Sequence, residues 1–121
     1  MQKGLVILAH GSRDSAACQR IIDMVENIGQ KVWPKQVVPA FFSMGKPALE
    51  QAVEDLIRRG CCRVIIFPFF LVDGSHVLKD IPARIRALQQ KYSEVEFEIL
   101  DSLEHEPLIT RILEEKALFY L

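Results

Sequence analysis

The chain has 121 residues, with 15 basic and 16 acidic side chains and a formal net charge of −1. Half of its residues are hydrophobic, which is enough for a packed core and excludes an intrinsically disordered chain. The balanced charge argues against a nucleic-acid surface, and the short apolar start is too short to span a membrane. We therefore expect a single domain over residues 1–121, located in the cytoplasm, with neither a nucleic-acid nor a membrane partner.

Strands and helices alternate along the chain. Apolar runs predict strands, and apolar stripes with helical spacing predict the helices between them. Gly29 and Gly60 are predicted to end the first and second helices, and Asp80 is predicted to cap the third. The predicted elements, in chain order, are strand 3–9, helix 14–28, strand 36–42, helix 47–59, strand 62–71, a loop over 72–79, a helix from residue 80, strand 95–100 and helix 106–118.

This alternation predicts an α/β fold, a three-layer sandwich in which helices cover both faces of a four-stranded parallel sheet. Pro39 cannot donate to a strand ladder, so it places the second strand at an edge. The first and third strands are the most apolar and are therefore central, which gives the order 2-1-3-4. In such sheets ligands bind in the crevice at the carboxyl ends of the central strands.

Two histidines follow the two central strands. His10 closes the first strand beside Gly11, and His76 follows the third strand close to Gly74. Two neutral imidazoles in one crevice would bind a first-row divalent metal with coordination positions left open, and could also accept protons. The alternative is that each ring only hydrogen-bonds to a loop carbonyl. His105 is interpreted as a residue of a helix start.

Other polar residues are predicted at the same edge of the sheet. Gly11 suits a tight turn, and Ser12 is interpreted as a helix cap, with catalysis as the alternative. Arg13 either binds a carboxylate in a bidentate way or is a solvated charge. Lys46 and Lys79 either attract an anionic ligand or are solvated loop lysines. Three cysteines, one pair of them adjacent, predict free thiols in a reducing compartment.

Two motifs resemble those of the small sirohydrochlorin chelatase family. One is His10-Gly11-Ser12-Arg13, and the other is the segment from Pro68 to Pro82, with Gly74-Ser75-His76 followed by Asp80-Ile81-Pro82. These proteins are the short cobaltochelatases of anaerobic cobalamin synthesis, with relatives that insert nickel or iron. The resemblance covers the whole length of the chain.

The resemblance implies a chelatase-like fold and ATP-independent insertion of a divalent metal into sirohydrochlorin or a related tetrapyrrole. Cobalt is the first expectation, nickel and iron are alternatives, and no organic cofactor is implied. It also implies a homodimer that holds the tetrapyrrole between its subunits. His10 and His76 would bind the metal and help to remove pyrrole protons. The residues assigned to substrate binding are Gly11, Ser12, Arg13, Ser43, Gly74 and Ser75.

The chain departs from the family where glutamates usually stand, because Ser43 and Lys46 occupy those positions. A serine hydroxyl is a poor base and metal ligand, and Glu50 is a possible substitute. The chain is therefore either a chelatase with a different base or a homologue that binds metal or tetrapyrrole without catalysis. A third interpretation, a flavodoxin-like domain for a phosphorylated ligand, is supported only by the Gly11-Ser12 turn and lacks a glycine-rich phosphate loop.

Overall fold

The computed structural model of the chain describes residues 2–32, 36–72 and 74–121, and of His76 the backbone alone. The strands are β1 (Gln2–Gly11), β2 (Val37–Met44), β3 (Cys61–Pro68) and β4 (Glu96–Ile99). The helices are α1 (Ser15–Lys31), α2 (Leu49–Arg58), α3 (Ser75–Lys91) and α4 (Pro107–Tyr120), and a short 3-10 turn covers Leu103–His105. None of the helices in these ranges has the length and apolar character needed to cross a membrane.

The strands form one sheet in the order β2-β1-β3-β4, and every neighbouring pair is parallel. Leu5 of β1 lies opposite Val37 on one side and Ile65 on the other. The predicted strand order is confirmed, and β2 with its Pro39 is an edge strand as expected. Because β1 and β3 are neighbours, the segments that follow them meet at the carboxyl edge of the sheet.

Helices cover both faces of the sheet, so the predicted three-layer fold is confirmed. Helices α2 and α3 pack on one face, where the main core lies. Helix α1 packs on the other face, over β1 and β2. Fully buried residues at the centre of the main core are Val6, Leu8, Leu49, Val53, Leu56, Val64 and Ile66.

Helix α3 begins earlier than the sequence predicts. It starts at Ser75, with Gly74 as an extended N-cap, so the predictions of a loop over 72–79 and of a start at residue 80 are wrong. The reason is an apolar stripe that begins before Pro82 and is buried in the core. Its residues are Val77, Ile81, Ile85 and Leu88. Burial of this stripe offsets the loss of one helical hydrogen bond at Pro82.

Glycine ends one of the two helices for which this was predicted. Gly60 follows α2 with φ +98°, a conformation that favours glycine. Gly29 does not end α1, because the helix continues to Lys31. Gly29 is buried, and a Cβ atom there would lie 3.8 Å from the carbonyl oxygen of Val37. This distance is ordinary van der Waals contact, so the packing of α1 on β2 leaves room for a side-chain carbon at this position.

Candidate functional site

A β-bulge places His10 at the carboxyl edge of the sheet. Ala9 pairs with Phe41 and Gly11 pairs with Met44, so β2 has one residue more than β1 between these pairs. His10 is exposed and lies opposite the bulge. Bulges of this kind re-aim side chains and are common beside active sites. The strand therefore ends by turning one imidazole toward solvent.

Two phenylalanine rings fix the imidazole of His10. Its ring centroid lies 5.9 Å from that of Phe42 and 5.6 Å from that of Phe70, both in edge-to-face geometry. The two phenylalanine rings also contact each other edge to face, with centroids 6.3 Å apart. Such contacts hold an aromatic ring in one orientation and limit the water around it. The imidazole is thus positioned by ring packing at the carboxyl edge of the sheet.

The turn after His10 requires glycine. Gly11 has φ +101°, and a Cβ atom there would overlap the carbonyl oxygen of Met44. The backbone N–H of Ser12 donates to that same oxygen at 3.2 Å. The backbone of β1 therefore approaches β2 more closely than any side chain allows, and this brings Ser12 beside the end of β2.

Asp14, rather than Ser12, caps helix α1. The carboxylate of Asp14 accepts from the N–H of Ala16 at 2.9 Å. The hydroxyl oxygen of Ser12 accepts from the N–H of Asp14 at 3.0 Å, one step before the helix. The prediction that Ser12 caps the helix is wrong, because a carboxylate two residues further on occupies that role. Arg13 and Lys46 are exposed and line a shallow groove of about 490 Å³ beside this turn.

A second groove runs from His10 along helix α1. Its volume is about 440 Å³, which is within the usual range for small-molecule sites. Much of its lining is apolar, and Arg20 supplies a guanidinium. The side chains that line it include His10, Ser12, Arg20, Ile21, Met24 and Phe69. This lining suits an apolar ligand that carries an anionic group.

No free carboxylate is available at either position considered for the base, Ser43 or Glu50. The Ser43 hydroxyl donates to the carbonyl oxygen of His10 at 3.1 Å. Glu50 accepts two hydrogen bonds from Arg84, each 2.7 Å long. These bonds lower the pKa of Glu50 below its ordinary value, and partial burial opposes them only in part. Glu50 therefore does not supply the available base that was considered for it.

Arg84 connects three elements around this edge, and the sequence analysis does not single it out. Beyond Glu50, its guanidinium donates to the carbonyl oxygen of Phe42 at 2.8 Å and lies 5.2 Å from the centre of that ring. A signal for it does exist in the sequence. Residues 77, 81, 84 and 88 follow helical spacing, so Arg84 falls in the apolar stripe of α3. A charged residue at such a position needs a partner.

The third group of predicted residues lies at the start of helix α3. His76 is the second residue of this helix, and Gly74 and Ser75 are exposed just before it. The side chain of His76 lies outside the described residues, so a pocket shared by both imidazoles stays a prediction. Among the side chains that are described, no cluster of three His, Cys, Asp or Glu residues could hold a metal ion. His105 is exposed, and its Nε2 atom lies 3.7 Å from Oε1 of Glu104.

The sequence of the chain is similar to those of known proteins. The CbiX family model matches residues 4–118. A chloroplastic sirohydrochlorin ferrochelatase from Arabidopsis thaliana is 26% identical over 113 residues, which cover 93% of this chain and 50% of that protein. A sirohydrochlorin cobaltochelatase from Methanocaldococcus jannaschii is 27% identical over 90 residues, which cover 74% of this chain and 63% of that protein. The chain thus spans between half and two thirds of the length of these relatives.

A solved structure shows the same architecture. The crystal structure of a cobalamin (vitamin B12) biosynthesis CbiX protein from Marinobacter aquaeolei VT8 superposes with a TM-score of 0.81. The alignment covers 98% of this chain and 96% of that chain, at 24% sequence identity. At this level of identity the likeness shows the fold, and the predicted chelatase-like fold is confirmed.

Proposed function

The chain belongs to the CbiX family, and on that premise we propose that it inserts a divalent metal into sirohydrochlorin or a related tetrapyrrole without ATP. The observation that carries the proposal is the exposed imidazole of His10, held by two phenylalanine rings beside a groove with an apolar lining. An imidazole positioned in this way presents a nitrogen ligand to a metal next to a surface for a flat ring.

The chemistry required is a ligand exchange coupled to proton loss. The metal leaves the imidazole nitrogens and bonds to the ring nitrogens, while two pyrrole N–H groups release their protons. A neutral imidazole can hold the metal, and once the metal has left it can take up a proton near neutral pH. We assign these roles to His10, near the end of β1, and to His76, in the first turn of the helix that follows the neighbouring strand β3.

The substrate would be held by the groups around His10. The groove along α1 offers apolar side chains for the ring and Arg20 for one of its carboxylates. Arg13, in the neighbouring groove, can bind a second carboxylate. Gly11 and Ser12 would contact the substrate through the tight turn, Ser43 from the bulge, and Gly74 and Ser75 from the first turn of α3.

Cobalt is the metal we propose first, because a relative of this chain is named as a cobaltochelatase. Nickel and iron remain alternatives, since imidazole binds all three and another relative is named as a ferrochelatase. Three free cysteines, Cys18, Cys61 and Cys62, support a reducing compartment such as the cytoplasm. We also propose that the working form is a homodimer with the tetrapyrrole between its subunits.

The test is metal insertion by the purified protein. Sirohydrochlorin is mixed with cobalt, nickel or ferrous ion, and the absorption change is followed with and without protein. We expect a rate above the spontaneous one, and a loss on the order of 10²-fold in His10→Ala. The matched control is His105→Ala, which removes an exposed histidine outside the proposed site and should leave the rate unchanged. A rate equal to the spontaneous one with every metal would overturn the proposal.

The hydroxyl of Ser43 and the engaged Glu50 favour a second candidate, a carrier that binds metal or tetrapyrrole without turnover. Its test is Ser43→Glu, which places a carboxylate beside His10. Tight binding without turnover in the wild-type chain, together with turnover in this variant, would support the carrier. Full turnover by the wild-type chain would dismiss it.

A further inference from the structure

Two side chains hydrogen-bond to the backbone of the β-bulge beside His10. Phe42 and Ser43 of β2 together oppose His10 of β1, and a bulge locally disrupts the strand ladder. The hydroxyl of Ser43 donates to the carbonyl oxygen of His10 at 3.1 Å. The guanidinium of Arg84 donates through Nη1 to the carbonyl oxygen of Phe42 at 2.8 Å. The second of these bonds comes from helix α3, so an element outside the sheet holds the bulge.

The ring of Phe42 lies in contact with both the guanidinium of Arg84 and the imidazole of His10. The Cζ atom of Arg84 is 5.2 Å from the ring centroid, and the imidazole centroid is 5.9 Å from it. A cation at this distance is attracted by the negative face of an aromatic ring. Arg84 therefore holds Phe42 twice, by its carbonyl oxygen and by its ring, and the same ring packs against the imidazole.

Arg84 is itself held in one orientation. Its Nε and Nη2 atoms donate to the two carboxylate oxygens of Glu50, each at 2.7 Å, while Nη1 bonds to the carbonyl oxygen of Phe42. The planar fork of a guanidinium can make these three bonds at once. A lysine ammonium is a single point charge and cannot reproduce this geometry. The contact to Phe42 thus starts from a rigid support on helix α2.

We propose that Arg84 is a positioning residue for His10, acting through the backbone and the ring of Phe42. The role rests on the proposed function, since it requires that His10 binds the metal. Loss of the guanidinium would free the Phe42 carbonyl and ring, and the exposed imidazole would then occupy several orientations. Metal binding would have to restrict these orientations, which lowers both the affinity for the metal and the rate of its transfer.

A role confined to stability is the alternative. Arg84 and Glu50 join α3 to α2, and Lys91 and Glu54 join the same two helices through a contact of 3.5 Å. Lys91→Ala is therefore the matched control, because it removes a cation of α3 that contacts Glu54 and the ring of Tyr92. If Arg84 only stabilised the fold, both variants would lose stability and neither would alter the imidazole of His10.

The first experiment follows the ring contacts by NMR. In the wild-type chain we expect nuclear Overhauser effects between the imidazole of His10 and the ring protons of Phe42. Arg84→Ala should weaken them several-fold, whereas Lys91→Ala should keep them. Wild-type intensities in folded Arg84→Ala would overturn the proposal. If circular dichroism shows that this variant is not folded, Arg84→Lys is measured in its place with the same two outcomes, because a single ammonium cannot replace the fork.

The second experiment measures cobalt insertion into sirohydrochlorin at saturating cobalt. Arg84→Ala should lower kcat roughly tenfold, as expected for a residue that orients a metal ligand. KM for sirohydrochlorin should stay within about twofold of the wild-type value, because Arg84 makes no contact with the substrate in this account. Lys91→Ala should match the wild-type chain in both constants. An unchanged kcat in Arg84→Ala, or an equal fall in Lys91→Ala, would overturn the positioning role.

The two experiments separate this role from the proposed function. The NMR measurement needs neither metal nor tetrapyrrole. If the wild-type chain inserts no metal, the proposed function fails, and the ring contacts still decide whether Arg84 positions His10. If the wild-type chain inserts cobalt and Arg84→Ala keeps both the ring contacts and the rate, the positioning role fails and the proposed function stands.

Discussion

The turn after His10 depends on a single glycine. Because Gly11 has a positive φ and touches the carbonyl of Met44, any side chain there strains the backbone and pushes β1 away from β2. Displacement of this turn would move both the imidazole and Ser12. The position of the candidate metal ligand is therefore set by backbone contact between two strands.

Gly11→Ala should destabilise the chain by about 2 kcal/mol or more, the sum of the backbone penalty and the overlap. The control is Gly74→Ala, at a second glycine of the same edge, where φ is −75° and no atom of the described residues lies within 4 Å of an added Cβ. This control substitution should lower the free energy of unfolding by less than about 1 kcal/mol. Urea denaturation of both variants measures the difference, and equal losses would contradict this account of the turn.

Single residues differ in how far their roles can be read from the sequence. His10 and Gly11 can be identified because an apolar run ends there and a glycine follows. The cap at Asp14 could not be separated from Ser12, since both residue types cap helices and only geometry decides between them. Arg84 could not be assigned, because its partners, Glu50 and the Phe42 carbonyl, are distant in sequence.

At the scale of elements, the Arg84–Glu50 pair joins helices α2 and α3 and holds the end of β2. It stabilises the fold when Glu50 is ionised. Since the folded chain lowers the pKa of Glu50, this contribution is present above the ordinary glutamate range and is lost as the pH falls through the lowered value. The stabilising contribution of the pair is therefore lost under acid conditions and is present at neutral pH.

Glu50→Gln should lower the free energy of unfolding by at most about 1 kcal/mol at neutral pH, because both partners are partly exposed and solvent screens the pair. The cost should shrink at about pH 3.5, below the ordinary glutamate pKa, because the unfolded chain then takes up a proton that the Arg84–Glu50 pair of the folded chain resists. Glu54→Gln is the control, since it removes a longer, exposed contact of 3.5 Å to Lys91. Urea denaturation at both pH values provides the measurement. A cost for Glu50→Gln that does not change with pH would contradict the prediction.

The order of the strands could be predicted, whereas the start of α3 and the packing of α4 could not. Pro39 and the apolar character of β1 and β3 were enough to place each strand. The start of α3 was predicted too late because Asp80 was interpreted as its cap, when the burial of Val77 decides the start. The packing of α4 could not be predicted, because an apolar helical stripe does not identify what covers it, and in the structure no residue of this helix is buried.

At the scale of the whole molecule, the proposed homodimer would make folding and association one process. The melting temperature of the wild-type chain should then rise with protein concentration, because the folded state is a dimer. Scanning calorimetry over a range of concentrations tests this. A wild-type melting temperature that is independent of concentration would contradict the coupling.

The central claim is that His10 and His76 act together on one metal. The most direct test compares cobalt insertion by His10→Ala, His76→Ala and the double variant in a double-mutant cycle. Residues that form one site are expected to be strongly non-additive, so the double variant should be about as slow as either single variant. If the two losses multiply, or if His76→Ala inserts cobalt at the wild-type rate, the shared site is contradicted.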